Sequence, residues 1–121
     1  MPQPFKRADR VGDLIQRALS ELLWRDVKDP RLRGVVITAV RVTADLRRAH
    51  VRFTCGSDRG RQTEALAGLA SAVGYLRGQL GRGLHLRYAP ELAFEVDESV
   101  DYSLHIAALL KQVAEREGER D

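Results

Sequence analysis

The stretch with the clearest chemistry is residues 66–83, LAGLASAVGYLRGQLGRG. Its apolar residues recur at helical spacing. Five glycines lie along it, however, and each glycine inside a helix costs about 1 kcal/mol relative to alanine. Arg77, Arg82 and Arg87 lie within the stretch and just beyond it. Bare backbone beside guanidinium groups suits the close approach of a phosphate chain. The pattern favours a helix broken or bent near Ala72-Val73-Gly74, with phosphate contacts on its flanks.

The same glycines are open to two other interpretations. Helices that pack through small residues, or a glycine C-cap at Gly81 or Gly83, would explain them without any ligand. The string Gly78-Gln79-Leu80-Gly81 also matches the G-x-x-G that clamps a nucleic-acid backbone in KH domains, although a glycine-rich stretch produces such strings by chance. The sequence leaves open which glycine site lies nearer a nucleic acid.

Residues that could support catalysis are few. Asp97, Asp101 and His105 are spaced four apart and could line one helix face, but metal sites normally have richer ligand sets. Asp101 or Ser99 is better explained as an N-cap. Neither a Walker loop, a G-x-S-x-G nor a CxxC is present. The sequence therefore predicts a protein that is not an enzyme and uses no metal or cofactor.

Length and composition predict one domain over residues 1–121, with a mobile arm at 1–7 and a frayed acidic tail at 117–121. Cys55 is the only cysteine, so no intramolecular disulfide is expected. The N-terminus lacks the apolar core of a secretory signal, and no run is long enough to cross a bilayer. We expect a cytoplasmic monomer with no membrane partner.

Charge is unevenly distributed along the chain. Residues 1–87 contain 17 Lys and Arg against 8 Asp and Glu, whereas residues 88–121 contain 3 against 9. Most of the basic residues are arginine, which binds phosphate bidentately and stacks on bases. A basic body with an acidic end favours a polyanionic partner on one face.

Apolar periodicity predicts an α-β-β-α-α-β-α order. The β-branched run of the first strand is typical of a strand buried on both faces. The second strand alternates, with Cys55 on its core side. Trp24 is expected to be a packing anchor, and Tyr75 and Tyr88 to be core or rim. The elements are a helix at 8–27, strands at 35–42 and 48–55, a helical region ending at 83, an extended strip at 84–88, a strand at 92–96 and a helix at 101–116.

This order is that of a type II KH fold, and three runs resemble the ribosome-binding factor A family of bacteria: DPRLRGVVITAVRVTADLRRAHVRF, AVGYLRGQLGRGLHLRYAPELAFEVDES and IAALL. The resemblance covers about residues 7–110. It implies an α+β, type II KH-like domain: α-β-β-α-(kink)-α-β plus a C-terminal helix, with a three-stranded sheet backed by helices. In that family an A-x-G kink replaces the KH G-x-x-G, and Ala72-Val73-Gly74 falls at its place.

The resemblance further implies a non-catalytic assembly factor. Such a protein binds the free 30S subunit and promotes late maturation and 5′-end processing of the 16S rRNA precursor. Its release involves a ribosome-associated GTPase or initiation factor three. Arginines near the kink and on the N-terminal face would contact RNA, Gly74 would keep the kink open, and Ala72 would let the helices close. The predicted RNA-binding residues are Lys6, Arg7, Arg10, Ala72, Gly74, Arg77, Arg82 and Arg87. Second-rank candidates in the connections are Arg31, Arg33, Arg47 and Arg48.

Two alternatives stay open at this point. One is a general KH-type module that takes single-stranded nucleic acid beside Gly78 to Gly81. The other is a protein-interaction domain whose acidic last helix docks a basic partner.

Overall fold

The computed structural model describes residues 7–99 and 102–119. These form three α-helices, one 3₁₀ turn and a three-stranded sheet, which confirms the predicted α+β class. The elements in chain order are α1 (Arg7–Arg25), the 3₁₀ turn (Pro30–Leu32), β1 (Val36–Val42), β2 (Arg48–Thr54), α2 (Arg59–Gly83), β3 (Glu91–Val96) and α3 (Tyr102–Glu119).

The sheet has the order β1-β2-β3. A tight turn joins β1 to β2 as an antiparallel pair, and there the Asp45 carboxylate accepts hydrogen bonds from Thr43 Oγ1 at 2.6 Å and from the Arg47 N–H at 3.0 Å. Strands β2 and β3 run parallel because α2 crosses over between them. The middle strand is therefore β2, and its alternate residues Ala49, Val51 and Phe53 are buried.

The core lies between one face of this sheet and the layer formed by α1 and α2. The apolar stripe of α1 buries Ile15 and Leu19 completely, as the periodicity predicts. Helix α1 approaches β1 closely at Gly12, where an added Cβ would lie 3.0 Å from the Val40 carbonyl oxygen. Cys55 is buried, as expected, and burial raises the pKa of its thiol.

The first strand corrects one prediction. Strand β1 is not buried on both faces, because Ala39 and Arg41 are exposed. The outward residues of β2 from Arg48 to Arg52 are exposed as well, although Thr54 at the end of β2 and its partner Val36 are buried. The register also shifts between Ile37 and Ala39, which interrupts regular pairing near the start of the strand.

A break of the helix at Ala72-Val73-Gly74 is wrong, because α2 is one helix of 25 residues from Arg59 to Gly83, whereas a bend there stays a prediction. The glycine penalty lowers the stability of a helix but does not end it, and buried Leu69, Leu76 and Leu80 hold α2 to the core on both sides of residue 74. The predicted pair of central helices is thus a single element.

The segment after α2 is a turn, and the extended strip predicted at 84–88 is wrong. His85 adopts the left-handed conformation with φ 52°, and the Leu86 N–H donates to the Gly81 carbonyl at 3.1 Å. That bond is the outer one of a Schellman cap, which satisfies a free carbonyl at the helix end. The left-handed residue is therefore His85, whereas Gly81 and Gly83 lie inside the helix.

Helix α3 lies beside α1 and the β1 edge, and Arg116 pairs with Glu21 at 3.6 Å. Beneath it, a cavity of about 420 Å³ is lined by apolar residues of α1, β1 and α3. Trp24 lines this cavity but is 52% exposed, so it is less of a packing anchor than expected, and Leu110 is exposed as well. No helix in the described ranges combines the length and apolar character needed to cross a bilayer.

Candidate nucleic-acid interface

Helix α2 divides into two halves with different surroundings. The connection that follows α1 runs along the first half, which we call the clamped half (residues 59–71). The second half, which we call the open half (residues 72–83), lies beside α1 and the connection to β3. All of the predicted RNA-binding residues on α2 belong to the open half.

The clamped half is fixed by the 3₁₀ turn. A Cβ added to Gly68 would lie 2.9 Å from Leu32 Cδ2 and 3.1 Å from Arg31 Cβ, so this glycine is required for close approach. The Arg31 guanidinium donates to Ser71 Oγ at 3.3 Å and forms an ion pair with Asp29 at 2.6 Å. This ion pair lowers the pKa of Asp29 through the side-chain hydrogen bond from Arg31.

Arg61 completes the clamp. Its guanidinium donates to the backbone carbonyl of Arg31 at 2.6 Å and also to that of Arg33. Sequence patterns did not identify Arg61 or Gly68 as special, because their partners are the backbone and side chains of a connection about 30 residues away.

The open half presents bare helix backbone. Gly74 is exposed, and a Cβ added there would meet no atom within 4 Å. At Gly78 an added Cβ would meet only the guanidinium of Arg82, at 3.7 Å. Ala72 is half-buried and packs against the core, so it does not join Gly74 on the exposed surface. Gly78-Gln79-Leu80-Gly81 is helical and forms no KH-type loop.

Tyr75 stands beside this bare backbone and is 45% exposed, so it is not a core residue. Its hydroxyl donates to Asp26 Oδ2 at 3.3 Å, which ties the open half to the end of α1. Partial burial and the Asp26 carboxylate raise the pKa of Tyr75, while nearby Arg82 opposes the shift.

The three predicted arginines have different surroundings. Arg77 is half-buried and donates to the backbone carbonyls of Ala89 and Pro90 at 2.9 and 3.0 Å, so it positions the connection to β3. Arg82 and Arg87 are exposed. The guanidinium carbon of Arg87 lies 5.5 Å from the ring centroid of Tyr88, an exposed tyrosine. The cations free to meet a phosphate are therefore at the end of α2 and just after it.

The direction of α1 relative to α2 follows from the contacts between them. A groove between the helices is lined by Ala18 and Leu22 of α1 and by Gln79 and Gly83 of α2. Together with the contact between Asp26 and Tyr75, this groove shows that the two helices run antiparallel. The first turn of α1 is thereby directed towards the C-terminal end of α2.

Arg7 and Arg10, both exposed, are in that first turn of α1. Lys6 lies outside the described residues. Among the second-rank candidates, Arg31 pairs with Asp29, Arg48 pairs with Glu91 at 3.3 Å, and Arg33 and Arg47 are exposed.

Of the acidic candidates, Asp97 is the one whose side-chain contacts the structure describes. Asp97 is buried and accepts hydrogen bonds from Ser99 Oγ at 2.6 Å, Thr38 Oγ1 at 2.8 Å and the Ser99 N–H at 3.0 Å. These bonds hold the pKa of Asp97 below its usual value. Asp97 thereby fixes the segment that follows β3. Asp101 and the His105 side chain lie outside the described residues. Within the part of the chain that the structure describes, no three His, Cys, Asp or Glu come together as metal ligands.

The chain is a small α+β domain in which α1 and α2 form a layer over a three-stranded mixed sheet. Cations lie at one helix end. The sequence model of "Ribosome-binding factor A" matches residues 7–110. The chain is 46% identical to ribosome-binding factor A of Citrifermentans bemidjiense over 109 residues, which cover 89% of this chain and 91% of that one. The chain belongs to the ribosome-binding factor A family.

Solved structures agree with this assignment. The crystal structure of ribosome-binding factor A from Thermus thermophilus matches with a TM-score of 0.65 and 27% identity, covering 74% of this chain and 94% of that one. A homology model of the Thermus thermophilus protein, fitted into a cryo-EM map of its complex with the 30S subunit, matches with a TM-score of 0.64 and 27% identity. That match covers 78% of this chain and 99% of the other.

Proposed function

We propose that this chain is a non-catalytic, monomeric, cytoplasmic assembly factor that binds the free 30S subunit. In this role it promotes late maturation and 5′-end processing of the 16S rRNA precursor, and a ribosome-associated GTPase releases it. The observation that carries the proposal is family membership over residues 7–110, together with the complex that the Thermus thermophilus relative forms with the 30S subunit.

The surface chemistry supports RNA as the contacted component. Arg82 and Arg87 are exposed at the end of α2, and Arg7 and Arg10 are exposed in the first turn of α1, directed towards that end. Exposed arginines bind phosphates without needing a particular base. Tyr75 and Tyr88 offer exposed rings beside them, which suit stacking on an unpaired base.

The open half would contribute access to the helix backbone. Since nothing occupies the space above Gly74, a phosphate chain can approach the helix more closely there than over a residue with a side chain. Arg77 would act indirectly, by fixing the connection that carries Arg87 and Tyr88.

Co-sedimentation of the purified protein with separated ribosomal subunits, at low and moderate salt, tests the proposal. We expect retention on free 30S subunits and little on 50S subunits. If about five phosphates are engaged, the log–log slope of affinity against salt should be about −3.5 to −4.5. Equal retention on both subunits would contradict the proposal, and tight binding to any short unstructured oligonucleotide would favour a general single-stranded nucleic-acid module.

A further inference from the structure

The face of the sheet turned away from the helices is exposed and charged. Strand β2 directs Arg48, His50 and Arg52 outwards, and Arg41 of β1 lies opposite His50 in the antiparallel register. We call this surface the outer sheet face, formed by Ala39, Arg41, Arg48, His50, Arg52, Glu91, Ala93 and Glu95. The RNA surface described above lies in the opposite layer of the domain.

Ion pairing divides the outer sheet face into two sides. Between β2 and β3 the parallel register places Arg48 beside Glu91 and Arg52 beside Glu95, and both pairs form, at 3.3 and 2.8 Å. These pairs satisfy the charges on that side. Exposed pairs of this kind contribute little to stability, so their main effect is to cancel charge locally.

The other side of the face has no such compensation. Arg41 and His50 face each other across β1 and β2, and neither side chain forms a hydrogen bond or ion pair with any residue in the described ranges 7–99 and 102–119. A guanidinium and an imidazole therefore lie next to each other with their donors available. Arg52, the nearest further cation in the register, is already paired with Glu95.

A groove of about 440 Å³ runs over these residues and is lined by Ala39, Val40, Arg41, His50, Arg52 and Glu95. The small side chain of Ala39 leaves one side of the groove shallow, and no Phe, Tyr or Trp side chain lines the groove. Peptide-binding pockets rely on large apolar or aromatic anchors. A groove with cationic donors and no such anchor suits the phosphodiester backbone of a nucleic acid.

We propose that Arg41 and His50 form a second phosphate-binding site on the outer sheet face, through which the domain contacts a second segment of the RNA. The inference rests on the proposed function, because it takes the RNA of the small subunit as the ligand. Two phosphate sites on opposite layers would allow one small domain to hold two RNA segments in a fixed relative position without catalysing a reaction.

The test compares the salt dependence of 30S binding for the wild-type chain, the double variant Arg41→Gln/His50→Gln and the control Arg48→Gln. The double variant and the control each remove one formal charge when histidine is counted as neutral. We expect the double variant to bind about fivefold to tenfold more weakly at about 0.1 M salt, with a slope smaller by about 1. The control should change affinity less than twofold, because Arg48 is paired with Glu91. All melting temperatures should match, since every substituted side chain is exposed.

Other outcomes overturn the inference in distinct ways. If wild type binds and the double variant binds equally well, the sheet site is absent while the proposed function stands. A weaker affinity with an unchanged slope would indicate a ribosomal protein as the partner of this face, and an equal loss for Arg48→Gln would indicate diffuse electrostatics. Failure of the wild-type chain to bind 30S subunits would overturn both proposals. Arg41→Lys, which keeps the charge but loses the bidentate fork, should recover most of the slope and only part of the affinity.

Discussion

The clamped and open halves of α2 differ in the surroundings of their glycines and arginines. Both contain glycine and arginine, yet Gly68 lies against Leu32 whereas Gly74 has open space above it. Arg61 is tied to the carbonyls of the connection after α1, whereas Arg82 is exposed. The comparison indicates that the first half of the helix maintains the fold and that the second half is available to a ligand.

The largest effect should come from filling the space at Gly68. Gly68→Val would force atoms into contact with Leu32, which is buried and cannot move away freely. We expect the free energy of unfolding to fall by about 2–3 kcal/mol, as is common for overpacked sites. Chemical denaturation measures this change, and a variant as stable as the wild type would show that the clamp is loose.

Removal of the exposed cations should affect binding and leave stability unchanged. The double variant Arg82→Gln/Arg87→Gln should reduce the salt slope of 30S binding by about 2, with affinity lower by about tenfold or more at about 0.1 M salt. Arg77→Gln is the matched comparison: it should lower the melting temperature, because it removes two hydrogen bonds to the β3 connection. If Arg77→Gln weakened binding and the double variant lowered the melting temperature, these roles would be contradicted.

Removing the Arg61 guanidinium should lower the stability of the domain by less than Gly68→Val does. Arg61→Gln removes two hydrogen bonds to backbone carbonyls at a half-exposed site, and about 1 kcal/mol of stability should be lost. Arg59→Gln, two residues earlier and exposed, is the control and should be nearly neutral in urea unfolding. Similar losses for both variants would argue against a specific role for Arg61.

The smallest effect, of opposite sign, is expected at Gly74. Gly74→Ala introduces a methyl group into open space on an exposed helix interior, so stability should rise by about 0.5–1 kcal/mol. Gly74→Leu should also fold, but it should bind 30S subunits more weakly because its side chain covers the backbone. Thermal unfolding measures the stability of Gly74→Ala, and subunit binding measures the affinity of Gly74→Leu. Unchanged binding by Gly74→Leu would show that this glycine has no part in RNA binding.

Local patterns were sufficient to predict most of the fold. The apolar stripe of α1, the alternation of β2 and the three-stranded sheet all follow from periodicity, because burial on one face imposes it. The predicted break at residue 74 failed because local glycine content was given more weight than the buried leucines on either side. The prediction that β1 is buried on both faces was wrong, because an apolar run does not reveal whether helices cover one face of the sheet or both.

The site was less predictable than the fold. Composition and resemblance pointed to Arg82 and Arg87 as RNA-binding residues, and the structure places both side chains on the exposed surface. They could not separate these from Arg77, because the difference lies in two carbonyls more than ten residues away in the chain. Nor could they separate the required Gly68 from the exposed Gly74, since only the packed position of Leu32 distinguishes them.

Photo-crosslinking tests the contrast between the two halves most directly. The photoreactive amino acid p-benzoylphenylalanine would replace either Tyr75 in the open half or Leu66 in the clamped half, which are 45% and 38% exposed on the same helix. Each protein would be irradiated on free 30S subunits. We predict a crosslink to 16S rRNA from position 75 and none from position 66. Equal crosslinking from both positions, or crosslinking from position 66 alone, would contradict the assignment of the open half as the RNA-binding surface.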